Sequence, residues 1–561
     1  MGRIPNCPDL YNTARILPGD DKLLAIYVAV QPGLDAYKRG SFDDDCPGVG
    51  VVLGVAAALH RRINPGWAED VGFMRRIPVC LLIAGIIASI ILVACSPQTS
   101  DGQGSLRSDL AYVTISRQVL LDKIEGGWGG QMAGVTWGAP TEFSCEGEIM
   151  DEVPEWETWR INEAFSQDDL YVEIPFLQAM KEHGVNASWD DYGDHFKDTR
   201  FMLWHANAAG RGNLQRGIPA PASGHYAANP HADDIDWQIE ADWAGIITPG
   251  QPEAAVDLAW RAGHVMNYGD GVYGGVAVAA MHAVAYFAKN VDEIIQAGRQ
   301  AVPEGSKYRQ VIEDVIGWHK EKPTDWEYAW NQLQEKWGND DRCPDGVDDP
   351  FNIDAKLNGA YVFIGLLYGE GDFEQSMRIA MRCGQDSDCN TSSVGGILGN
   401  WLGFSKLPDK FIAQIDTDTR FSYTRLDYGD LIDLSEELAR EIVTLRGGSV
   451  QGEGEAQEWH IPQSQKIMPP ILEQWPEEKN IPPRLDVSIE KTEGRNVILS
   501  AEASDDDGIL EFQWYFGDMY YQTGQRVTHT YLQDGNYLVT GYVTDKKGTT
   551  SWQVIEVRVN E

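Results

Sequence analysis

The sequence is poor in cysteine and in positive charge. It has 8 Cys among 561 residues, and 45 Lys and Arg stand against 85 Asp and Glu, which gives a net charge of −40. So few cysteines exclude a disulfide-dense scaffold. The acidic excess, with no basic cluster, argues against binding to nucleic-acid phosphates, and we expect no nucleic-acid partner. A hydrophobic content of 43% also excludes a disordered polar chain.

Long hydrophobic runs are scarce, and one stretch, residues 77–94, is apolar enough to insert into a membrane. It follows Met74-Arg75-Arg76, so a start residue, positive charges and a short apolar run form the layout of a secretory signal over residues 74–94. A transmembrane helix stays an alternative, because 18 residues just span ~30 Å of hydrocarbon. The end of the run, Leu92-Val93-Ala94-Cys95, resembles a bacterial lipobox. It predicts that Cys95 is lipidated and becomes the first residue of the mature protein.

A signal at position 74 predicts that Met74 is the natural start and that residues 1–73 are an upstream extension absent from the mature protein. Residues 95–109 are rich in Ser, Gly and Gln and are typical of a flexible tether. We expect a lipid-anchored protein of the bacterial cell envelope, and Ser96 permits an outer-membrane destination. In that oxidising compartment one or two disulfides can form among the remaining cysteines, but spacing does not fix the pairs. These cysteines are Cys145, Cys343, Cys383 and Cys389.

The periodicity of the chain changes twice after the tether. Residues 110–446 repeat apolar residues at intervals of three and four and are rich in small residues, which predicts a mainly α domain of closely packed helices. Residues 447–481 carry Gly, acidic residues and Pro without a sustained period and are predicted to be a linker, partly packed through Trp459 and Trp475. Residues 482–561 alternate with a period of two between Gly and Asp turns, which predicts a small β-sandwich.

The C-terminal segment carries a recognisable series of motifs. Trp514-Tyr515-Phe516-Gly517-Asp518 is followed by His529-Thr530-Tyr531 and by Asp534-Gly535-Asn536-Tyr537. This series resembles a PKD domain, an immunoglobulin-like module, although Met519 stands where the motif usually has glycine. The resemblance implies a spacer or an accessory that binds protein or polysaccharide. With a Pro-rich stretch before it, we expect this module to share little core with the helical domain and to melt separately.

Two acidic clusters stand out in the helical domain. Asp168-Asp169 opens a predicted helix, and Asp386-Ser387-Asp388 lies between an apolar helix and a helix of small residues. Either pair can be a helix cap that complements the helix dipole. Either can equally supply oxygen ligands to a hard cation such as Mg²⁺ or Mn²⁺. Four clustered carboxylates repel one another, so their convergence would predict a metal-dependent site.

The order of these elements adds specificity. A Gly-rich helix from Gly126 runs into Thr141-Glu142-Phe143, and the two acidic clusters follow in order. This series resembles the ADP-ribosylglycohydrolase family, an all-helical group that includes the dinitrogenase reductase-activating glycohydrolases. The resemblance implies hydrolysis of an N- or O-glycosidic bond to ribose, in a small-molecule or protein-attached glycosyl substrate. It also implies two divalent ions, usually Mg²⁺ with Mn²⁺ as an alternative, that grip the ribose.

Carried over position by position, the resemblance makes four aspartates metal ligands: Asp168, Asp169, Asp386 and Asp388. Glu142 takes a general-base or ligand role, and Asp169 belongs to the catalytic group as well. Asp270 and Gly271, in a glycine-flanked turn, suit a close approach to a pyrophosphate or ribose and are predicted to bind substrate, with a simple turn as the alternative.

Three positions depart from the family pattern. Gln167 and Leu170 replace threonines of the first acidic element, and Cys389 replaces a threonine of the second. A neutral thiol is a poor ligand for a hard ion, so one metal position is expected to be altered. The departures at Gln167 and Cys389 support an alternative hypothesis, a non-catalytic surface lipoprotein that binds its ligand on a degenerate glycohydrolase scaffold.

Overall fold

The computed structural model describes residues 111–342, 350–463, 467–475 and 482–560. The predicted extension, the signal peptide and Cys95 lie outside these residues, so those expectations stay predictions. Within the described part, a mainly helical region precedes a region of β-strands, which confirms the predicted fold class. None of the helices described there has the length and apolar character needed to cross a membrane.

The helices of the described residues, in chain order, are α1 (Arg117–Gly138), α2 (Asp168–Tyr171), α3 (Ile174–His183), α4 (Trp189–Lys197), α5 (His205–Gln215), α6 (Asp236–Ile239), α7 (Asp242–Ile246), α8 (Pro252–Gly263), α9 (Asp270–Ala285), α10 (Val291–Ala301), α11 (Lys307–Glu321), α12 (Trp326–Trp337), α13 (Ala355–Gly369), α14 (Phe373–Arg382), α15 (Ser387–Leu402), α16 (Asp409–Ile412) and α17 (Tyr428–Leu445). The strands are β1 (Ala111–Ser116), β2 (Ser449–Gln451), β3 (Glu458–Gln463), β4 (Arg484–Glu493), β5 (Asn496–Ser504), β6 (Ile509–Tyr515), β7 (Tyr521–Thr523), β8 (Arg526–Thr530), β9 (Gly535–Asp545) and β10 (Thr550–Val559).

The Gly-rich helix α1 packs directly on α15 at the centre of the helical domain. Glycines recur every four residues along one face of α1, at Gly126, Gly130, Gly134 and Gly138. A Cβ atom on Gly130 would lie 2.1 Å from the backbone oxygen of Gly395, and one on Gly134 would lie 2.3 Å from that of Thr391. The two backbones are therefore close enough to exclude any side chain between them. This spacing fixes where the first residues of α15 lie relative to the end of α1.

Part of the segment predicted to be a linker is folded. Strand β3 pairs antiparallel with β1 over Ala111–Ser116 and with β2, so a three-stranded sheet in the order β1-β3-β2 closes the two ends of the helical domain together. Trp459 of β3 is fully buried, as the composition of this segment suggested. Arg440 of α17 lies over its ring, 4.7 Å from the centroid. This stretch therefore belongs to the helical domain rather than to a flexible connection.

Residues 484–559 form the β-sandwich. One sheet has the strand order β10-β9-β6-β7 and the other β4-β5-β8, with antiparallel pairing throughout. The side chains that alternate inward from both sheets make a separate apolar core around Trp514, Val497 and Val539. Asp518 accepts a hydrogen bond from His529, with 2.8 Å between Oδ2 and Nε2, and His529 stacks on Phe516. Met519 takes a positive φ of 64°, the conformation that the usual glycine would adopt more easily.

The outer face of the four-stranded sheet packs on the helical domain. Tyr515 stacks on Trp260 of α8 with 6.3 Å between ring centroids, and Tyr542 lies 5.8 Å from Trp189 of α4. Tyr515 and Tyr542 belong to the same continuous apolar core as the helices. The expectation that the sandwich shares little core is therefore wrong, because aromatic residues on its second face are covered by helices rather than by solvent.

Polar contacts reinforce this interface. Arg446, just after α17, is buried and pairs with Glu253 at 2.8 Å, while its other terminal nitrogen donates to the backbone oxygen of Met519 at 2.5 Å. Glu473, in the stretch before the sandwich, approaches His264, the residue that follows α8, to 3.1 Å. A buried charge that lost one of these partners would be destabilising, because the free energy of its desolvation would no longer be compensated. The two domains are thus held in one arrangement by matched groups.

Candidate active site

The site lies where α1 ends, α2 begins and α15 begins. A Cβ atom on Gly138, the last residue of α1, would lie 2.3 Å from the Cα atom of Asp388. Beyond Gly138 the chain makes a short 3₁₀ turn to Thr141, whose hydroxyl lies 2.9 Å from that of Ser387. The backbone nitrogen of Phe143 donates to the oxygen of Gln385 at 2.9 Å. These contacts hold Glu142, between Thr141 and Phe143, beside the second acidic pair.

The two acidic pairs meet in space although they lie in distant parts of the chain. The Sγ atom of Cys389 lies 3.5 Å from Oδ2 of Asp169. One ligand atom from each of Asp386, Asp388 and Cys389 lies within 4.8 Å of the other two. Asp168 is the remaining member, and its charge acts on Asp169 and Asp388. The structure thus brings together all four aspartates that the sequence singled out.

The carboxyl groups of this acidic cluster are desolvated and repel one another. Burial, followed by the charge of Asp168, raises the pKa of Asp169 well above its usual range, and burial raises that of Asp168. Burial is also the main cause that raises the pKa of Asp388 to about 6. The pKa of Asp386 rises well above its ordinary value through burial and the charge of Asp388. Negative charge therefore accumulates here unless a cation or protons compensate it.

Glu142 stands at the rim of the cluster. Its side chain still reaches solvent, but partial desolvation, together with the charges of Asp388 and Asp168, raises its pKa to about 7. A carboxyl group with this pKa changes its protonation state near neutral pH, which suits a general acid or base. Its catalytic role stays a prediction, which this pKa supports.

Several carboxylate oxygens of the acidic cluster are buried, and their hydrogen-bond partners show whether the cluster is suited to metal ions. Within the described residues, no hydrogen-bond partner faces Oδ1 of Asp169, Asp386 or Asp388. Buried polar atoms are normally satisfied, so three such oxygens in one cluster indicate a site for a group that the protein itself does not supply. Carboxylate oxygens are the ligands that Mg²⁺ and Mn²⁺ prefer. The donor set fits divalent cations.

A cleft of about 450 Å³ adjoins the acidic cluster. Its walls come from the turn after α1 and from the segment before α2, and they consist of Ala139, Pro140, Arg160, Glu163, Ser166 and Gln167. Arg160 brings a cation to this wall, and it pairs with Glu163 at 3.2 Å. Along the chain, Pro140 of this wall stands two residues before Glu142, and Gln167 stands directly before Asp168.

The three residues that depart from the family pattern lie in different surroundings. Gln167 lines the cleft. Leu170 is fully buried in the main core, so its position contributes packing and no ligand. Cys389 faces Asp169 from inside the cluster and puts a thiol among the oxygen donors. Cys145, Cys383 and Cys389 are all free thiols.

Asp270 and Gly271, predicted to bind substrate, are not brought to the acidic cluster. Asp270 accepts a hydrogen bond from the backbone nitrogen of Tyr308 at 3.0 Å, and the charged groups around it include Lys356 and Asp354. A Cβ atom on Gly271 would lie 2.3 Å from the backbone oxygen of Ala232. The close approach that this glycine permits is made by the protein's own backbone, and the substrate-binding role of the pair stays a prediction.

The residues that sequence reasoning did not assign include Glu240 and Tyr171. Glu240 is fully buried, and the charge of Asp168 contributes to raising its pKa, after burial and Asp236. Its Oε1 accepts from Asn207, while Oε2 has no partner within the described part of the chain. In the sequence, Glu240 lies on an amphipathic stretch, so the pattern does not distinguish it from a solvent-exposed residue. Only the fold shows that it faces the cluster.

Tyr171 belongs to a group of aromatic rings beside the acidic cluster. It follows the first acidic pair and packs against Phe201 and Tyr423, with ring centroids 5.0 Å and 5.4 Å away. Tyr423 is 68% exposed and adopts a positive φ of 63°. Tyr171 and Phe201 are buried, so Tyr423 is the exposed ring of this aromatic group beside Asp168.

Behind the cluster, a buried network holds the first acidic pair in place. Glu173 accepts hydrogen bonds from Nε2 of Gln131 at 2.5 Å and from the backbone nitrogen of Trp243 at 2.7 Å. The hydroxyl of Ser392 on α15 donates to the backbone oxygen of Gln131 at 3.4 Å. Asp242 of α7 pairs with the buried His282 at 2.8 Å. Helices α1, α7 and α15 are thereby fixed around the site.

The fold and the site define the class of protein. It has a mainly helical domain with an acidic pocket at three helix ends, and a docked β-sandwich follows that domain. The sequence matches the ADP-ribosylglycohydrolase family model over residues 116–448, more than half of the chain, and the PKD domain model over residues 480–559. The protein belongs to the ADP-ribosylglycohydrolase family and carries a C-terminal PKD domain. Family membership supports a glycohydrolase-type function.

Solved structures resemble each part of the chain. An ADP-ribosylglycohydrolase-related protein complex is 14% identical, with 58% of this chain and 99% of that chain covered and a TM-score of 0.38. The PKD1 domain of the Vibrio cholerae metalloprotease PrtV is 33% identical over 14% of this chain and 100% of that chain, with a TM-score of 0.14. The PKD1 domain of Vibrio anguillarum Epp is 28% identical over 15% and 98%, also with a TM-score of 0.14.

Proposed function

We propose that this protein is a metal-dependent glycohydrolase that cleaves an N- or O-glycosidic bond to ribose in an ADP-ribosyl or related compound. The observation that carries the proposal is the convergence of Asp168, Asp169, Asp386 and Asp388, with partnerless buried oxygens, beside Glu142. Cleavage at a ribose passes through an oxocarbenium-like state, which a ring of carboxylates and a nearby acid or base can serve.

Each residue has a distinct part in this proposal. The four aspartates would hold two divalent ions, Mg²⁺ or Mn²⁺, which supply Lewis-acid polarisation and orient the ribose hydroxyls. Glu142, at the rim with a pKa of about 7, transfers a proton to or from the reacting water or leaving group. Tyr171 and its aromatic neighbours shield one side of the sugar from solvent. The cleft beside Arg160 admits the remainder of the substrate.

We further propose that the enzyme acts at the cell envelope. The signal-like run before Cys95 supports export and lipid anchoring, with the outer membrane as the destination that Ser96 permits. The PKD domain would then orient the catalytic domain or bind protein or polysaccharide near the membrane. Small-molecule and protein-attached glycosyl substrates both fit an open cleft.

Turnover of ADP-ribosyl substrates, with and without Mg²⁺ or Mn²⁺, tests the activity. We expect hydrolysis that a chelator abolishes and the metal restores, and a large loss of turnover in Glu142→Gln. Glu148→Gln, in the same loop and exposed, is the matched control and should keep full activity. Absence of turnover on ADP-ribosylated peptides and on free ADP-ribosyl compounds, in a folded and metal-loaded protein, would contradict the proposal.

A second candidate function is a ligand-binding lipoprotein without catalysis. Two positions favour it: Leu170 is committed to the core, and Cys389 places a thiol among the metal ligands. Such a protein would bind ADP-ribose in calorimetry and release no product. Binding without turnover therefore distinguishes the second candidate from the first.

A further inference from the structure

A second group of ligand-type side chains lies near the acidic cluster. His205 is the first residue of α5, and His231 and Asp234 lie in the turn that precedes α6. Nδ1 of His231 is 2.9 Å from Oδ2 of Asp234, and Nδ1 of His205 is 3.5 Å from the same oxygen. One ligand atom from each residue lies within 4.8 Å of the other two. Two imidazoles thus face one carboxylate oxygen.

The backbone holds these three residues in place. The backbone nitrogen of Asp234 donates to the oxygen of His231 at 3.0 Å, and that of His231 donates to Oδ1 of Asn229 at 2.9 Å. The amide of Asn229 in turn donates to the oxygen of Ala206, next to His205, at 3.0 Å. Asn229 therefore joins the turn to the start of α5. The arrangement is fixed by groups other than the three side chains themselves.

The three side chains are buried to different degrees, and a small ion can still reach them from solvent. The side chain of Asp234 is 0% exposed, whereas those of His205 and His231 are 21% and 17% exposed. The carboxylate is thus withdrawn from water, while the imidazole edges still meet solvent. A charged ligand oxygen in a desolvated setting binds a cation more strongly than an exposed one. An ion can reach the group past the two rings.

The donor set identifies the kind of ion. Two imidazole nitrogens and one carboxylate oxygen are ligands typical of Zn²⁺ and neighbouring transition metals, whereas Mg²⁺ prefers oxygen alone. With metal–ligand distances of about 2.0–2.2 Å, tetrahedral ligands lie about 3.3 Å from one another. The nitrogen–oxygen separations of 2.9 Å and 3.5 Å lie on either side of that value.

We propose that His205, His231 and Asp234 form a second metal site, distinct from the acidic cluster, that binds a Zn²⁺-class ion. The ion would hold the start of α5 and the turn before α6 together. The ring of His205 stacks on Phe351, 6.0 Å away, and Phe351 packs on Phe143, 4.9 Å away, next to Glu142. The site thus braces the rim of the acidic pocket. It does not depend on the proposed glycohydrolase function.

Zinc content and cobalt spectroscopy on the full chain test this proposal. The protein is stripped with a chelator, given excess Mg²⁺ to fill the acidic cluster, and then titrated with Zn²⁺ or Co²⁺. All variants carry His183→Gln, because Glu182, His183 and His195 form another potential metal-binding group at the surface. His231→Gln and His205→Gln remove one proposed ligand each. His225→Gln is the matched control, since His225 lies nearby and outside the group.

We expect one fewer tightly bound Zn²⁺ per chain in each of His231→Gln and His205→Gln, and no loss in His225→Gln. The visible Co²⁺ band of a low-symmetry nitrogen–oxygen site should weaken in the same two variants. If either histidine variant fails to fold, which circular dichroism shows, the other decides. Unchanged zinc content and an unchanged Co²⁺ band in a folded variant would overturn the proposal and leave a metal-free His–Asp–His hydrogen-bonded group.

Discussion

Replacing Gly138 with alanine should disturb the acidic cluster although none of its own residues is substituted. Gly138 has φ −74° and ψ −32°, so alanine fits the backbone. Its new Cβ atom would lie 2.3 Å from Cα, 2.8 Å from N and 2.9 Å from Cβ of Asp388. Ordinary contact needs at least about 3.4 Å, so Asp388 must move by about 1 Å. Overpacking of this kind costs about 1–3 kcal/mol of stability.

The same displacement should weaken metal binding. Functional metal sites tolerate ligand errors of about 0.2 Å, and Mg²⁺ demands near-octahedral geometry. A shift of about 1 Å at Asp388 should therefore raise the Mg²⁺ dissociation constant at least about tenfold, or 1.4 kcal/mol. Calorimetric titration of chelator-treated protein measures that constant, and thermal unfolding measures stability in parallel.

Gly317→Ala is the matched control. Gly317 lies inside α11, and a Cβ atom there would meet nothing within 4 Å. Alanine should stabilise this helix by about 0.5–1 kcal/mol and leave Mg²⁺ affinity unchanged. Parental Mg²⁺ affinity in a folded Gly138→Ala protein would refute the reasoning, because it would mean that the contact between α1 and α15 does not set the position of Asp388.

Three further predictions concern protons, the thiol and the interface. Raised pKa values of about 6 at Asp388 and about 7 at Glu142 mean that the folded metal-free protein holds protons that the unfolded chain has already released. Its melting temperature should therefore fall as pH rises from about 4 to about 7, and a flat profile would count against the shifts. Cys389→Thr, which restores a hydroxyl beside Asp169, should tighten Mg²⁺ binding in calorimetry, and equal affinity would show that the thiol does not limit the site. Deleting residues 482–561 uncovers Trp260 and Trp189 and should lower the melting temperature of the helical domain, whereas parental melting would contradict a shared core.

Much of the architecture was predictable because it depends on local patterns. The change from a period of three to four to a period of two separates the helical domain from the sandwich, and each period follows from the geometry of its own element. The acidic pairs Asp168-Asp169 and Asp386-x-Asp388 were visible because two carboxylates at a helix entry are local in the chain. The stripe of glycines in α1 likewise indicated close helix packing, although its partner α15 did not follow from the stripe.

What lies against each element was decided by tertiary structure. A period of two shows that the residues of β6 and of β9 alternate between the two faces of a sheet, but it does not show that Trp260 and Trp189 cover the face that carries Tyr515 and Tyr542. The segment after residue 447 looked like a linker because strand β3 finds its partner β1 at the opposite end of the helical domain's sequence. Pairing at that distance leaves no local signal in composition.

The same limit applies to the sites. Glu240 and Asp270 look alike in sequence, as acidic residues near glycine or on a mixed helix face. Packing turned Glu240 toward Asp168 and placed Asp270 beside Lys356. His205 and His231 stand well apart in the chain, and only the chain's return at Asn229 brings both imidazoles to Asp234. The sequence by itself determined which chemical groups are present and in what order, and the fold decided which of them meet, because desolvation and contact depend on neighbours that are distant along the chain.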